Sequence, residues 1–265
     1  MDAVAIDQVR LNFNPQGLFV INVAIGLMML GVALELKLED FKRILVAPKA
    51  PVIGLVAQFL LLPALTFLLT LIINPPPSIA LGMILVASCP GGNVSNFMSH
   101  LAGGNTALSV SLTAIATLLA VVMTPLNLQI WGGLYAPSAA LLTEVQIQLW
   151  EMVRLVGLLL GLPLIAGMAF GYWKPGLAGR ISKYFKAGSL LFFVFLIFIA
   201  LYNNRDTFMD YIGLVFALVF FHNLAAFALG YSSSRLMGLS PGDVKSITIE
   251  TGIQNSGLGL LLIFT

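Results

Sequence analysis

Long apolar runs separated by short polar stretches set the pattern of this chain from residue 16 to its end. A helix needs about 20 apolar residues to cross the hydrocarbon core of a bilayer. By that length the runs predict eight membrane spans, at 16–36, 48–73, 78–101, 105–131, 146–172, 187–203, 209–237 and 241–265. The linkers are short. Asn74-Pro75-Pro76-Pro77 cannot continue a helix and marks a tight turn between the second and third spans.

Two spans break the plain apolar pattern. The third reads Ser88-Cys89-Pro90-Gly91-Gly92-Asn93-Val94-Ser95-Asn96, and the eighth reads Ile247-Thr248-Ile249-Glu250-Thr251-Gly252-Ile253-Gln254-Asn255-Ser256-Gly257. Each places glycines and polar residues near its middle, where lipid tolerates them least. Pro90 removes a backbone donor, and Gly91-Gly92 permit a non-helical path. Irregular backbone at that depth must line a cavity within the protein. The two spans also run in opposite directions. Matched interruptions of that kind predict an all-α, inverted-repeat transporter with two crossing discontinuous helices. Their half-helix N-termini would offer free amides and positive dipole ends to an anion. The competing reading is two glycine-kinked helices packed in a bundle; a matched pair, both rich in amides and hydroxyls, favours the transporter.

Composition agrees with a membrane setting. The chain is 59% hydrophobic and 9% charged, whereas soluble domains carry about 25% charged residues. Its outer surface must therefore face lipid, and the formal charge of +2, scattered through loops, makes no nucleic-acid surface. The single cysteine, Cys89, excludes an internal disulfide and a cysteine-rich metal site. Asp2, Asp7 and Arg10 give the N-terminal stretch no signal-peptide character. Lys37, Lys42, Arg43 and Lys49 follow the first span; Lys174, Arg180, Lys183 and Lys186 follow the fifth; Arg235 and Lys245 follow the seventh. The alternate side holds Arg205 and Arg10. The positive-inside rule then predicts a multi-pass protein of the cell (inner) membrane with its N-terminus outside. The sequence stops within Leu260-Leu261-Leu262-Ile263-Phe264-Thr265, an apolar run, which suggests a further helix beyond it.

Glu250 is the only acidic residue close to the centre of a span. A charge there costs about 3 kcal/mol on insertion scales. No lysine or arginine lies at a comparable depth, which leaves a bound cation, a proton, or a neutral acid in a structural hydrogen bond. A hard cation wants oxygen ligands, and Ser95, Asn96, Thr248, Thr251, Gln254, Asn255 and carbonyls freed by the breaks can supply them. Ser109, Thr113 and Thr117, at i, i+4 and i+8, share one face of the fourth span. Such a stripe, like Gln58 in the second span, also serves as packing between helices. His222-Asn223 reads as a structural pair, His100 as solvent-facing, and Glu35 as snorkelling to the interface beside Lys37. An intramembrane enzyme would draw on Ser95, Cys89, His100 or His222, but nothing pairs a nucleophile with a base and no metal-ligand spacing occurs. An enzyme is not expected.

Cys89-Pro90-Gly91-Gly92-Asn93-Val94-Ser95-Asn96 together with Glu250-Thr251-Gly252-Ile253-Gln254-Asn255-Ser256-Gly257 closely resembles the bile acid:sodium symporter family. Ala107-Leu108-Ser109-Val110, Gln58 and His222-Asn223 stand where that family has similar residues, and the resemblance runs from about Gly26 onward. It implies a panel domain (16–36 and 146–203) moving against a core domain (48–131 and 209–265), with the first of ten helices and the final core helix missing. It implies two sodium ions. The first would be held by Ser95, Asn96, Ser109, Thr113 and Glu250, the second by Gln58, Glu250, Gln254 and backbone near Thr251 and Ile253. Substrate, a small organic anion of bile-acid, steroid-sulfate or carboxylate type, would lie near Asn93 and Asn255. A monomer in membrane lipid is the expectation. A proton- or potential-driven permease of the arsenite or auxin type is the alternative, with Cys89 the thiol that makes arsenite worth naming and Gln58 and Gln254 the residues against it.

Overall fold

Proline, glycine and asparagine set the ends of most helices in this chain. The computed structural model describes residues 46–144 and 149–255, with positions 7, 23, 26, 27, 30, 31, 33, 34, 36, 258 and 259. Its helices are α1 (Lys49–Ile73), α2 (Pro77–Ser88), α3 (Asn93–Leu101), α4 (Thr106–Leu134), α5 (Ala136–Glu144), α6 (149–173), α7 (Pro175–Asn203), α8 (Arg205–Leu236) and α9 (Pro241–Gly252). Among the described residues there is no β-strand. Most of the predicted first span, 16–36, and the far end of the eighth lie outside the described residues.

α1, α4 and α8 are long and apolar enough to cross a membrane. Large apolar side chains such as Ile72, Phe198, Phe216 and Phe221 are exposed on the helices, a surface suited to lipid and not to water. The protein is an all-α polytopic membrane protein.

α1 ends where Asn74 turns left-handed (φ 49°), its N–H bonded to the Thr70 carbonyl at 2.9 Å, and the proline run then bars continuation. α1 and α6 each widen into a π-turn, at Ala57–Leu61 and Gly157–Gly161. Leu62 N–H reaches back to the Ala57 carbonyl, and Leu162 N–H to that of Gly157. Pro63 and Pro163 follow, and neither has an N–H for the carbonyl four residues earlier.

The third span is broken where the sequence predicts. α2 ends at Ser88, Cys89 (φ −81°, ψ 150°) and Gly92 (φ −133°, ψ −177°) are extended, and α3 begins at Asn93. The eighth span breaks likewise: α9 ends at Gly252, Ile253 is extended (φ −116°, ψ 92°), and Leu258 and Gly259 are helical again. The two breaks cross and pair. Gly91 and Gln254 form an antiparallel bridge, and Asn255 N–H donates to the Pro90 carbonyl at 2.7 Å. Each extended segment thus satisfies main-chain groups of the other that a helix would have satisfied internally.

Two elements differ from expectation. α7 begins at Pro175, not at residue 187; Arg180, Lys183 and Lys186 interrupt the apolar pattern but not the helix, which proline at its first position favours. The short helix α5 carries no span-length apolar run and left no membrane signature.

Apolar clusters bind the elements around the crossing. Ile53, Leu108, Leu112, Val244 and Ile247 join α1, α4 and α9, and Leu62, Ala87 and Ala226 join α1, α2 and α8. α8 meets α9 closely at Gly230, where a Cβ would stand 2.9 Å from Thr248 Cα.

Candidate cation site at the helix crossing

Glu250 lies in the last turn of α9, fully buried. Its Oε1 is 2.7 Å from Ser95 Oγ of α3, 2.5 Å from Ser109 Oγ and 3.0 Å from Thr113 Oγ1, both of α4. Thr113 Oγ1 is also 2.9 Å from Oε2. Asn96 Oδ1 joins the cluster, 2.8 Å from Ser109 Oγ and 3.1 Å from Thr113 Oγ1. The Gly92 carbonyl completes it, against the Ser95 hydroxyl.

A hydroxyl has one proton to give. Ser95, Ser109 and Thr113 therefore bring three protons to four acceptors: both Glu250 oxygens, Asn96 Oδ1 and the Gly92 carbonyl. The cluster is rich in lone pairs, buried, and holds one formal negative charge. Such a donor set fits a hard cation such as sodium. All five residues predicted for the first sodium come together here.

The residues predicted for the second sodium also gather at the α9 terminus. Gln58, in the π-turn of α1, donates from Nε2 to the Glu250 carbonyl at 3.0 Å. Its Oε1 is buried and meets no donor among the described residues. The Gln254 side chain donates to the Thr251 carbonyl, and Ile253 N–H to that of Ile249 at 2.9 Å. The carbonyls of residues 249–251 form the negative end of the α9 dipole, which favours a cation nearby. An orphaned, buried oxygen beside that end fits one.

Gly91 is what lets the carboxylate sit at the crossing: a Cβ there would overlap Glu250 Oε2 and stand 3.1 Å from Gln58 Nε2. Of the predicted substrate residues, Asn255 lies against Gly92, where a Cβ would be 3.6 Å from its own Cβ. Asn93 opens α3 one residue further on; its side chain lies outside the described set.

Several other sequence candidates make their hydrogen bonds elsewhere. Thr117 donates to the Thr113 carbonyl at 2.8 Å and Thr248 to that of Val244 at 2.7 Å, so both hydroxyls are spent on their own helices. Cys89 is buried with its thiol turned back to the Leu85 carbonyl at 3.3 Å. His222 Nε2 lies 2.8 Å from Thr66 Oγ1, whose proton goes to the Leu62 carbonyl. His222 is thus a core group, as expected, and His100 is exposed.

Residues 22–211 match the Sodium Bile acid symporter family. The chain is 34% identical over 242 residues to an uncharacterized sodium-dependent transporter of Bacillus subtilis (strain 168), covering 91% of this chain and 73% of that one. The chain belongs to the sodium bile acid symporter family. It is also 32% identical over 240 residues to a probable chloroplastic sodium/metabolite cotransporter of Oryza sativa subsp. japonica, covering 91% of this chain and 55% of that protein. With sodium/bile acid cotransporter 4 of Homo sapiens it shares 30% identity over 239 residues, 89% of this chain and 53% of the human one. The chain thus spans only about half the length of these last two. The family is one of sodium-dependent transporters, which answers the enzyme reading and makes sodium the coupled ion.

Symporter membership does not explain everything the site uses. Ser99 Oγ lies 2.7 Å from Ser246 Oγ, which donates to the Asn105 carbonyl at 2.9 Å. This rung sits one turn from the Ser95–Glu250 rung on both helices, so α3 and α9 are laced together antiparallel. Asn105 caps α4 through Leu108 N–H at 3.1 Å and reaches Asp243 Oδ1 at 2.7 Å. Lys245 donates to the Ala102 carbonyl at 2.9 Å. These contacts hold α3, α4 and α9 in one register. The only sequence signal for them is the spacing of four residues from Ser95 to Ser99 and from Ser246 to Glu250.

Proposed function

We propose that the chain is a sodium-coupled symporter of organic anions that works by alternating access. The observation that carries the reading is the buried Glu250 carboxylate at the crossing of two broken helices, ringed by hydroxyls from α3 and α4. One sodium would sit among Ser95, Asn96, Ser109, Thr113 and Glu250. The second would sit by Gln58, Glu250, Gln254 and the main chain of Thr251 and Ile253. Both ions share one carboxylate, so two sodium ions would leave the crossing with one net positive charge. A monovalent organic anion near Asn93 and Asn255, facing the free amides at the start of α3, would neutralise it. Affinity for the anion then rises with sodium, and affinity for sodium rises with the anion, because binding linkage is reciprocal.

The lacing of α3, α4 and α9 supports a core (48–131 and 209–265) that keeps the ion sites intact while a panel (16–36 and 146–203) moves against it. The distribution of basic residues supports an N-terminus on the outer face of the cell membrane. The names of the relatives suggest bile-acid-like or smaller metabolite anions as substrate.

Sodium-dependent thermal stabilisation of the purified protein, screened with small carboxylates, sulfated steroids and bile acids, tests the reading. A true substrate stabilises in sodium and not in choline. Stabilisation that is equal in the two salts contradicts coupling.

A further inference from the structure

We propose that Asn127, which does not touch the ion cluster, is a positioning residue for the second sodium site. The proposal rests on the reading of Gln58 as a ligand of that site. Gln58 lies in the π-turn Ala57–Leu61, and the next residue, Phe59, has a carbonyl that Pro63 cannot serve. Asn127 of α4 serves it, donating from Nδ2 at 2.9 Å. The orientation of that amide is itself fixed. Trp131 Nε1 donates to Asn127 Oδ1 at 3.1 Å, and an indole N–H can only donate, so the amide nitrogen must face Phe59. Trp131 packs in turn on Phe67 of α1, ring centroids 5.5 Å apart.

A continuous path therefore runs from α4 through the Phe59 carbonyl to Gln58, and from Gln58 to the Glu250 carbonyl. Register matters along it. Losing the extra residue of the π-turn would swing Gln58 by about 100° around α1 and off the end of α9. The π-turn of α6 follows the same proline pattern without a polar side chain in Gly157–Gly161. In α1, where the turn carries Gln58, Asn127 serves the carbonyl that the proline leaves open.

Sodium titration of purified protein at constant ionic strength tests this, with Asn127→Leu, Gln58→Ala and the double variant. Each single change should raise half-saturating sodium about tenfold, the equivalent of one lost buried hydrogen bond, and move the Hill coefficient towards one. The double variant should bind no worse than Gln58→Ala, because one residue acts through the other. Parent-like binding by Asn127→Leu, or a loss that adds fully to that of Gln58→Ala, overturns the proposal. Parent-like binding by Gln58→Ala removes the second site itself, and the proposal with it. Should Asn127→Leu fail to fold, Trp131→Phe frees the amide to rotate. It should shift sodium affinity in the same direction by about threefold, a smaller step than losing the bond outright, and unchanged binding there also overturns the proposal.

Discussion

The two breaks solve one problem with opposite means. The break in the third span is built for shape: Pro90, Gly91 and Gly92 yield an extended path with no ionisable group but Cys89. The break in the eighth span is built for charge: Glu250 closes its half-helix, and Gln254 and Asn255 fill the extended part. Neither suffices alone. The carboxylate fits only because Gly91 has no side chain, and the α3 hydroxyl of Ser95 becomes useful only because the crossing brings it to Glu250. The crossing thus divides its tasks, with backbone room from one helix and charge from the other.

The largest effect should come from removing the charge. Glu250→Ala should abolish sodium-dependent stabilisation, which for the parent amounts to about 2.7 kcal/mol per site at a sodium concentration 100 times the dissociation constant. Glu250→Gln, which keeps the size, should lose nearly as much in the same thermal assay.

Removing the room should come next. Gly91→Ala puts a methyl group where Glu250 Oε2 sits, so sodium affinity should drop at both sites, by about tenfold or more for displaced charge-assisted contacts. Gly92→Ala meets Asn255 only at ordinary contact distance. Its sodium titration should match the parent, and an equal loss in both alanine variants would contradict the division of tasks.

Single ligands should matter less. Thr113→Ala and Gln58→Ala should each remove one ion and leave the other, with the Hill coefficient for sodium falling towards one. Smallest of all is Thr117→Ala: its hydroxyl is bonded back to its own helix, so sodium affinity should stay within about twofold. A large loss there would mean that the whole stripe of α4 faces the ion.

Much of this was legible in the chain before any coordinate. The breaks announced themselves because glycine, proline and amides are costly in the middle of apolar runs, and Glu250 because no basic residue shares its depth. Spacing of four residues put Ser109, Thr113 and Thr117 on one face, but spacing cannot say where a hydroxyl spends its proton, so Thr117 looked like its neighbours. The bonds among Ser99, Ser246, Asn105 and Asp243 join residues more than a hundred positions apart, and a spacing of four on each helix cannot say which helices meet. The π-turn at Gln58 was hidden for another reason. Pro63 marks a disturbed ladder, but whether a helix kinks or widens depends on what serves the orphan carbonyl, and Asn127 comes from a different helix.

Equilibrium binding of radioactive sodium to the purified protein, with choline holding ionic strength constant, bears most directly on the claim that the crossing is a sodium site built around one carboxylate. The parent should bind saturably with a Hill coefficient above one, and Glu250→Gln should show no saturable binding while keeping the helical content of the parent. Saturable binding of unchanged affinity in Glu250→Gln would mean that the carboxylate is a structural group and that sodium binds elsewhere.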